Sequence, residues 1–303
     1  MRSQFTTTSA LFVFDLLAGV TALPGWPGGG TLVNGNAVQF DRETWERNLA
    51  QPNATGTFSV IGYDISQKWP SSQVDGWTLS VNVSSDVPDS QTLNPNNATG
   101  KTFTGTSIFL KAPDSIQSAF TNQSALDETT WKICVAVIPN APQEDSSTKD
   151  NGTCGYLSSQ CITDLQQAYA KKFPGSEDCY GTPPSTPSSC GSSVNTANFQ
   201  VQQLPLNSVN GTEVYVTASD SHDAGDQTAW NNAIKQAWPV LTLWGYNTRA
   251  KAPDGTLPQV QLSCIRADNV AAGSEKPSSG SRYYGSAMFA IGVTSFVALY
   301  GSF

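Results

Sequence analysis

Trp77-Thr78-Leu79-Ser80-Val81-Asn82-Val83 alternates large apolar residues with small polar ones. That period is the signature of a strand with one face buried and one face wet. A second stretch, Trp131-Lys132-Ile133-Cys134-Val135-Ala136-Val137-Ile138, repeats the alternation, but Cys134, Ala136 and Ile138 are apolar as well. This strand is therefore expected to be buried on both faces. Further strands are expected over 57–65, 107–110, 199–204, 213–218, 240–246 and 260–265, with turns at Pro88-Asp89, Asn94-Pro95, Asn210-Gly211 and Asp254-Gly255 between them.

Two segments carry the helical period. Ile162, Leu165, Tyr169 and Phe173 share one face, and Pro174-Gly175 stops the run. Ala229, Trp230, Ala233, Ile234, Ala237 and Trp238 share another, with Asp226 as the expected N-cap and Pro239 as the expected exit. The expected fold is mainly β: an antiparallel β-sandwich-like domain with two added helices and disulfides. The Pro- and Ser-rich stretch 181–193 is the one place where the chain invites division into two units, near residue 190, although a disulfide at Cys190 would pin it.

The six cysteines are Cys134, Cys154, Cys161, Cys179, Cys190 and Cys264. An even count in a secreted chain implies disulfides, and six cysteines allow 15 pairings. Cys134 and Cys264 lie in apolar alternating runs and are expected to link two strands, while the four central cysteines form a local stapled unit. No Cys-x-x-Cys pair exists and only one histidine is present, which disfavours zinc.

The ends read as processing signals. Residues 1–22 combine Met1-Arg2, an apolar stretch from Leu11 to Val20 interrupted by Asp15, and small residues Val20 and Ala22 before a cut after Ala22: a secretory signal. The stretch is too short for a membrane span, which needs about 20 apolar residues. Residues 274–303 read as a glycosylphosphatidylinositol (GPI) attachment region. Small residues at Gly273, Ser274 and Ser278 are the attachment candidates, followed by a polar spacer and an uncharged apolar tail from Ala287 to Phe303. Residues 23–273 are then the secreted domain. The chain carries a formal net charge of −8, and trimming to residues 23–278 removes Arg2, Asp15 and Arg282, leaving it one unit more negative. An acidic surface is repelled by nucleic acid, so none is expected as a partner.

Six Asn-x-Ser/Thr sequons, at Asn53, Asn82, Asn97, Asn122, Asn151 and Asn210, point to a glycosylated surface. Asn82 lies within a strand, so modification there requires that strand face to meet solvent.

Catalytic patterns are sparse. His222 stands in Ser219-Asp220-Ser221-His222-Asp223-Ala224-Gly225-Asp226, with no Gly-x-Ser-x-Gly elbow to pair with it, and reads as a polar loop before a helix. Asp220, Asp223 and Asp226 offer oxygens for calcium, but the spacing is not that of an EF-hand. Glycoside hydrolysis needs two carboxylates roughly 5–10 Å apart, and Glu213 and Asp220 are the pair considered. A copper monooxygenase would need a histidine at the mature N-terminus, where Leu23 stands. No cofactor or metal is expected. Of the eight tryptophans, Trp77, Trp131, Trp230 and Trp244 sit on apolar patterns and belong to the core. Trp26 and Trp69 each precede proline in polar surroundings and are the glycan-stacking candidates.

These features resemble fungal GPI-anchored cell-surface or cell-wall glycoproteins. The resemblance rests on the terminal signals, the six sequons, the even cysteine count and the Ser/Thr/Pro/Gly content. It implies attachment to the plasma membrane or wall and transfers no catalytic residue. The expected role is non-enzymatic, structural or binding, with cell-wall glycans as partners. The alternatives are a secreted carbohydrate-active hydrolase and an effector or adhesin with a protein partner. Phosphatidylinositol-specific phospholipase C is expected to release the protein from intact membranes. Peptides from 287–303 recovered from the mature protein would overturn the anchor.

Overall fold

The computed structural model describes residues 31–33, 36–38, 42–88, 100–117, 128–138, 152–174, 179, 183–194, 201–204, 206, 210–253 and 255–274. Residues 1–22, expected from the sequence to be a secretory signal, Trp26, the sequon asparagines Asn97, Asn122 and Asn151, Ser278 and the apolar tail lie outside the described residues. In chain order the elements are β1 (Thr31–Val33), β2 (Asn36–Val38), α1 (Arg42–Leu49), β3 (Ala54–Ser59), β4 (Thr78–Pro88), β5 (Thr102–Lys111), β6 (Trp131–Val137), α2 (Ser159–Lys172), β7 (Val201–Gln203), β8 (Asn210–Ala218), α3 (Gln227–Lys235), β9 (Trp238–Tyr246), β10 (Gln259–Ile265) and β11 (Asn269–Val270). Among the described residues no helix is long and apolar enough to cross a membrane.

The fold is mainly β, as the alternation predicts. Two antiparallel sheets form its body, one in the order β11-β3-β4-β5-β8 and one in the order β10-β9-β6-β7; β1 and β2 make a separate hairpin. Strands from before and after residue 190 are interleaved in both sheets. The sheets share one core. Leu79, Val81 and Val83 of β4 and Ile108 and Leu110 of β5 pack with Ile133 and Val135 of β6 and Val240 and Trp244 of β9. These residues alternate along their strands, so each sheet gives one face to the sandwich.

The opposite face of β6 and β9 is also covered. Cys134, Ala136, Leu241 and Leu243, with Leu262 and Cys264 of β10, lie under Cys161, Leu165 and Tyr169 of α2. Every residue of β6 and β9 is buried in consequence. The α2 helix begins at Ser159, just ahead of the apolar face, and the Ser158 side chain accepts from Cys161 N at 3.1 Å as its N-cap.

The predicted disulfide between Cys134 and Cys264 is not formed. Cys134 of β6 lies opposite Leu243 and Cys264 of β10 opposite Pro239, on either side of β9. Two strand spacings separate them by about 9.5 Å before the offset along β9 is added, beyond the reach of a disulfide. Each instead bonds to the segment covering that face: Cys134–Cys179 and Cys154–Cys264. Only Cys161–Cys190 stays within the four central cysteines.

Two other expectations shift. The strand expected over 57–65 ends at Ser59, and the chain then runs through a long connection to β4. Asp226 caps α3 as expected, accepting from Thr228 N at 2.7 Å, but the helix stops at Lys235. Trp238 and Pro239 open β9 rather than closing the helix. Pro239 is the second residue of β9, near the strand's start, where its carbonyl still accepts from Ile138 N at 2.9 Å.

The sequence pattern gives no sign of α1. It covers the outer face of the five-stranded sheet, where Trp45 and Leu49 pack with Val87, Phe103, Val216 and Ala218. Gly105 makes room for the indole: a Cβ there would sit 2.9 Å from the Trp45 ring. At its end α1 has carbonyls without helical partners. Asn82 Nδ2 donates to Leu49 O at 3.3 Å and Ser84 Oγ to Asn48 O at 2.8 Å.

The disulfides close loops of different length, with sequence separations of 110 for Cys154–Cys264 and 29 for Cys161–Cys190. Chain entropy predicts that replacing the first pair with alanines costs about 1 kcal/mol more than replacing the second. Urea unfolding of the two double variants checks the order.

Candidate functional site: an aromatic platform at the sandwich edge

The connection from β3 to β4 folds back on itself. Val60 N donates to Trp77 O at 2.9 Å, Val74 N to Gly62 O at 3.0 Å and Asp64 N to Ser72 O at 3.0 Å, and Tyr63 bridges Gln73. Gly62 is required here, since a Cβ would lie 2.2 Å from the Trp77 indole. At the tip, Asp64 Oδ1 accepts from Ser66 N at 3.1 Å and also from the Ser66 hydroxyl, and Ser71 Oγ donates to Asp64 O at 2.8 Å. The tip carries Trp69-Pro70, joined by a cis peptide bond.

This tip is fixed to the four-stranded sheet where β6 begins and β9 ends. Trp69 N donates to Thr130 Oγ1 at 2.7 Å and Trp131 Nε1 to Gln67 O at 2.8 Å. Asn247 follows β9, and its N and Nδ2 donate to Thr130 O at 3.0 Å and Thr129 O at 2.7 Å. The result is a continuous set of rings. Trp69 lies 4.6 Å from Tyr246 and meets the edge of Trp131 at 6.5 Å. Tyr63 stacks on Trp131 at 5.5 Å and meets Trp244 at 5.8 Å, and Trp244 meets Trp77 at 4.7 Å.

The inner rings are buried, while Trp69 and Tyr63 are half-buried. Two large aliphatic side chains on neighbouring segments are exposed: Ile61 at 50%, two residues before Tyr63, and Leu257 at 41%. Ile61 N donates to Gln261 Oε1 of β10 at 2.9 Å. Leu257 follows Thr256, whose carbonyl accepts from Tyr246 Oη at 3.0 Å. Ser66, Gln67, Lys68, Ser72 and Gln73 are exposed around the rings and form a polar rim. The arrangement offers an apolar ring face beside hydroxyl and amide groups. A sugar ring, with apolar C–H faces and a polar edge, fits that chemistry.

The other sequence candidates are placed elsewhere. His222 is buried, and its Nδ1 donates to Asp223 O at 2.9 Å, since a carbonyl only accepts. In the neutral ring Nε2 then accepts from Thr104 Oγ1 at 3.1 Å. The loop is pinned further by backbone bonds between Thr102 and His222, by Gly225 N donating to Asp86 Oδ1 at 2.9 Å, and by the Lys101–Asp223 ion pair at 2.7 Å. That hydrogen bond and charge hold the Asp223 carboxyl below its usual range. His222 fastens the loop to β5, and no serine is among its partners in the described residues.

The aspartates do not gather. Asp226 caps α3, Asp223 pairs with Lys101 and Asp220 is exposed. Among the described residues no group of three or more His, Cys, Asp or Glu is placed to hold a metal ion.

Glu213 belongs to the α1 face. It accepts from the Ser107 hydroxyl and from Trp45 Nε1 at 3.3 Å, and the same indole N–H reaches Ser107 Oγ at 3.2 Å. A bulge at Val214 keeps both Glu213 and Val216 on that face. Asp220 lies beyond the far end of β8. Five residues of strand alone span roughly 16 Å, so this pair does not form a glycosidase couple.

Of the modification candidates, Asn53 and Asn82 have their carboxamides bonded within the fold, and Asn210 opens β8. Gly273 adopts φ +89° and Ser274 is half-buried. Tyr63 and Tyr246 are the site residues that sequence reading missed. Each stands at the limit of an apolar alternating run, where an amphipathic ring has one side in the core and its hydroxyl near solvent.

Comparison with protein-family models, curated proteins and solved structures finds no match to this chain.

On the β8 side of the core, burial pushes the Tyr215 hydroxyl up to about 12, which its hydrogen bond with Thr217 partly offsets. Its ring packs 5.6 Å from Trp238. A raised tyrosine pKa stabilises the fold fully below its unfolded value of about 10, and that contribution is lost as pH rises toward 12. Unfolding free energy is therefore expected to fall between about pH 10 and 12, with a shallower fall in Tyr215→Phe. Equal slopes in urea titrations of the two proteins would contradict this.

Proposed function

We propose that this chain is a secreted, GPI-anchored cell-surface glycoprotein without catalytic activity, which contacts wall glycans through the platform centred on Trp69. The single observation behind the glycan reading is the half-buried Trp69 ring, packed 4.6 Å from Tyr246 and edge-on to Trp131 at the end of the β6–β9 pair. A partly exposed aromatic ring offers the amphipathic surface that sugar contacts use. Several bonds fix the loop through its backbone, so the ring is positioned before any ligand arrives. Such preorganisation reduces the ordering cost of binding. The hydrolase alternative loses its leading pair, because Glu213 lies within β8 on the α1 face and Asp220 lies beyond the strand's end. The six cysteines, all bonded, accord with an oxidising compartment.

Trp69→Ala is expected to weaken retention on insoluble cell-wall polysaccharide by about 1 kcal/mol, roughly fivefold, the scale of an aromatic contact. Trp69→Phe, which keeps a ring against Tyr246, should fall between the variant and the parent. Pull-down isotherms on glucan and chitin particles measure both. Unchanged retention in Trp69→Ala together with a lowered melting temperature would assign the ring to packing alone.

A further inference from the structure

We infer that two of the six sequons, Asn53-Ala54-Thr55 and Asn82-Val83-Ser84, remain unmodified in the folded protein, because their side chains are structural ties. The second is the α1 cap. Its asparagine and its serine donate to two successive carbonyls at the helix end, Leu49 O at 3.3 Å and Asn48 O at 2.8 Å. The residues that make the sequon are thus the residues that complete the helix. Ser84 is 2% exposed and Leu49 4%. A glycan on Asn82 Nδ2 would replace one of its two hydrogens and set a bulky sugar against the α1 terminus.

The first sequon is tied at both ends of its carboxamide. Asn53 Oδ1 accepts from Ser85 N at 2.8 Å and Ser85 Oγ at 3.2 Å, and Nδ2 donates to Ser274 Oγ at 3.2 Å. Its backbone carbonyl accepts from Ala271 N at 2.8 Å. Asn53 therefore joins the start of β3, the irregular part of β4 and the residues after β11. Ser85 directly follows the second sequon, so the two sites adjoin on the five-stranded sheet. Glycan addition acts on the chain before it folds. A sugar on either asparagine takes up the hydrogen or the space that its Nδ2 tie uses, against Ser274 Oγ or Leu49 O, so a chain so modified folds less readily and the folded, secreted product is enriched in the bare form. The consequence is a glycan-free zone where α1, the β4 irregularity and the chain leaving β11 meet.

This inference rests on the secretory reading, and the test separates the two. The full chain is secreted from a glycosylating eukaryotic host, and the folded product is deglycosylated enzymatically in heavy-oxygen water, which converts occupied asparagine to labelled aspartate. Asn53 and Asn82 are expected to remain asparagine, with label at one or more of Asn97, Asn122, Asn151 and Asn210. Label at Asn53 or Asn82 in most molecules would overturn the inference; no label anywhere would count against the secretory reading instead. A second arm holds in either case. Ser84→Ala should lower the melting temperature by about 2–4 °C with no loss of glycan mass, while Ser84→Thr, which keeps both hydroxyl and sequon, should stay near the parent. A Ser84→Ala protein that melts with the parent would remove the structural role.

Discussion

The antiparallel pair of β6 and β9 is buried on both faces, and that constraint organises most of the chain. A strand pair with apolar residues at both parities has no face to offer solvent. One face is met by the five-stranded sheet through Ile133, Val135, Val240 and Trp244. The other needs a lid, and the segment from Cys154 to Cys190 supplies it with α2 at its centre. Disulfides hold the lid to the sheet on both flanks, at Cys134 of β6 and Cys264 of β10. These bonds add covalent closure to a second buried cluster, in which Leu157, Leu165, Tyr169 and Phe173 join Ala136, Leu241 and Leu243.

The parts legible in the sequence are those in which local period and tertiary burial agree. Trp77 to Val83 reads as a one-sided strand and is one; Trp131 to Val137 reads as a two-sided strand and is one. The face through Leu165 and Tyr169 reads as a helix under cover, and both residues are fully buried. Where the two levels disagree, reading fails. Arg42 to Leu49 carries two buried apolar residues, Trp45 and Leu49, among charged and polar ones, too few to register as a helical stripe. Its stability comes from afar, from Gly105, Glu213, Asn82 and Ser84 on three different strands. No window of the sequence contains that information. The disulfide pairing was illegible for a related reason: strand order, not spacing, decides which cysteines can meet.

The same ambiguity touches the polar residues. An Asn-x-Ser triplet is equally a modification signal and a pair of short hydrogen-bonding side chains one strand repeat apart. On β4 residues 82 and 84 point to the same face, since strand side chains alternate with a period of two. A sequon placed in a strand therefore always presents its asparagine and hydroxyl side by side. If that face is wet, the pair is available for sugar; if a helix end lies over it, the pair is suited to unpaired carbonyls. Burial alone decides between the uses, and sequence does not contain burial.

The platform around Trp69 depends on the β6–β9 pair as closely as the core does. Trp131 and Tyr246 face each other in register as its end residues, and their rings are the surface on which Trp69 rests. Trp131 is held by Gln67 O and Tyr246 by Thr256 O, so neither indole nor phenol needs a ligand to satisfy its polar atom. The ring faces are thus positioned by hydrogen bonds made at their edges. A large, rigid side chain supported in this way loses little conformational freedom on contact. Because the apolar area comes from the end of a buried strand pair, its shape is fixed by the same packing that fixes the fold.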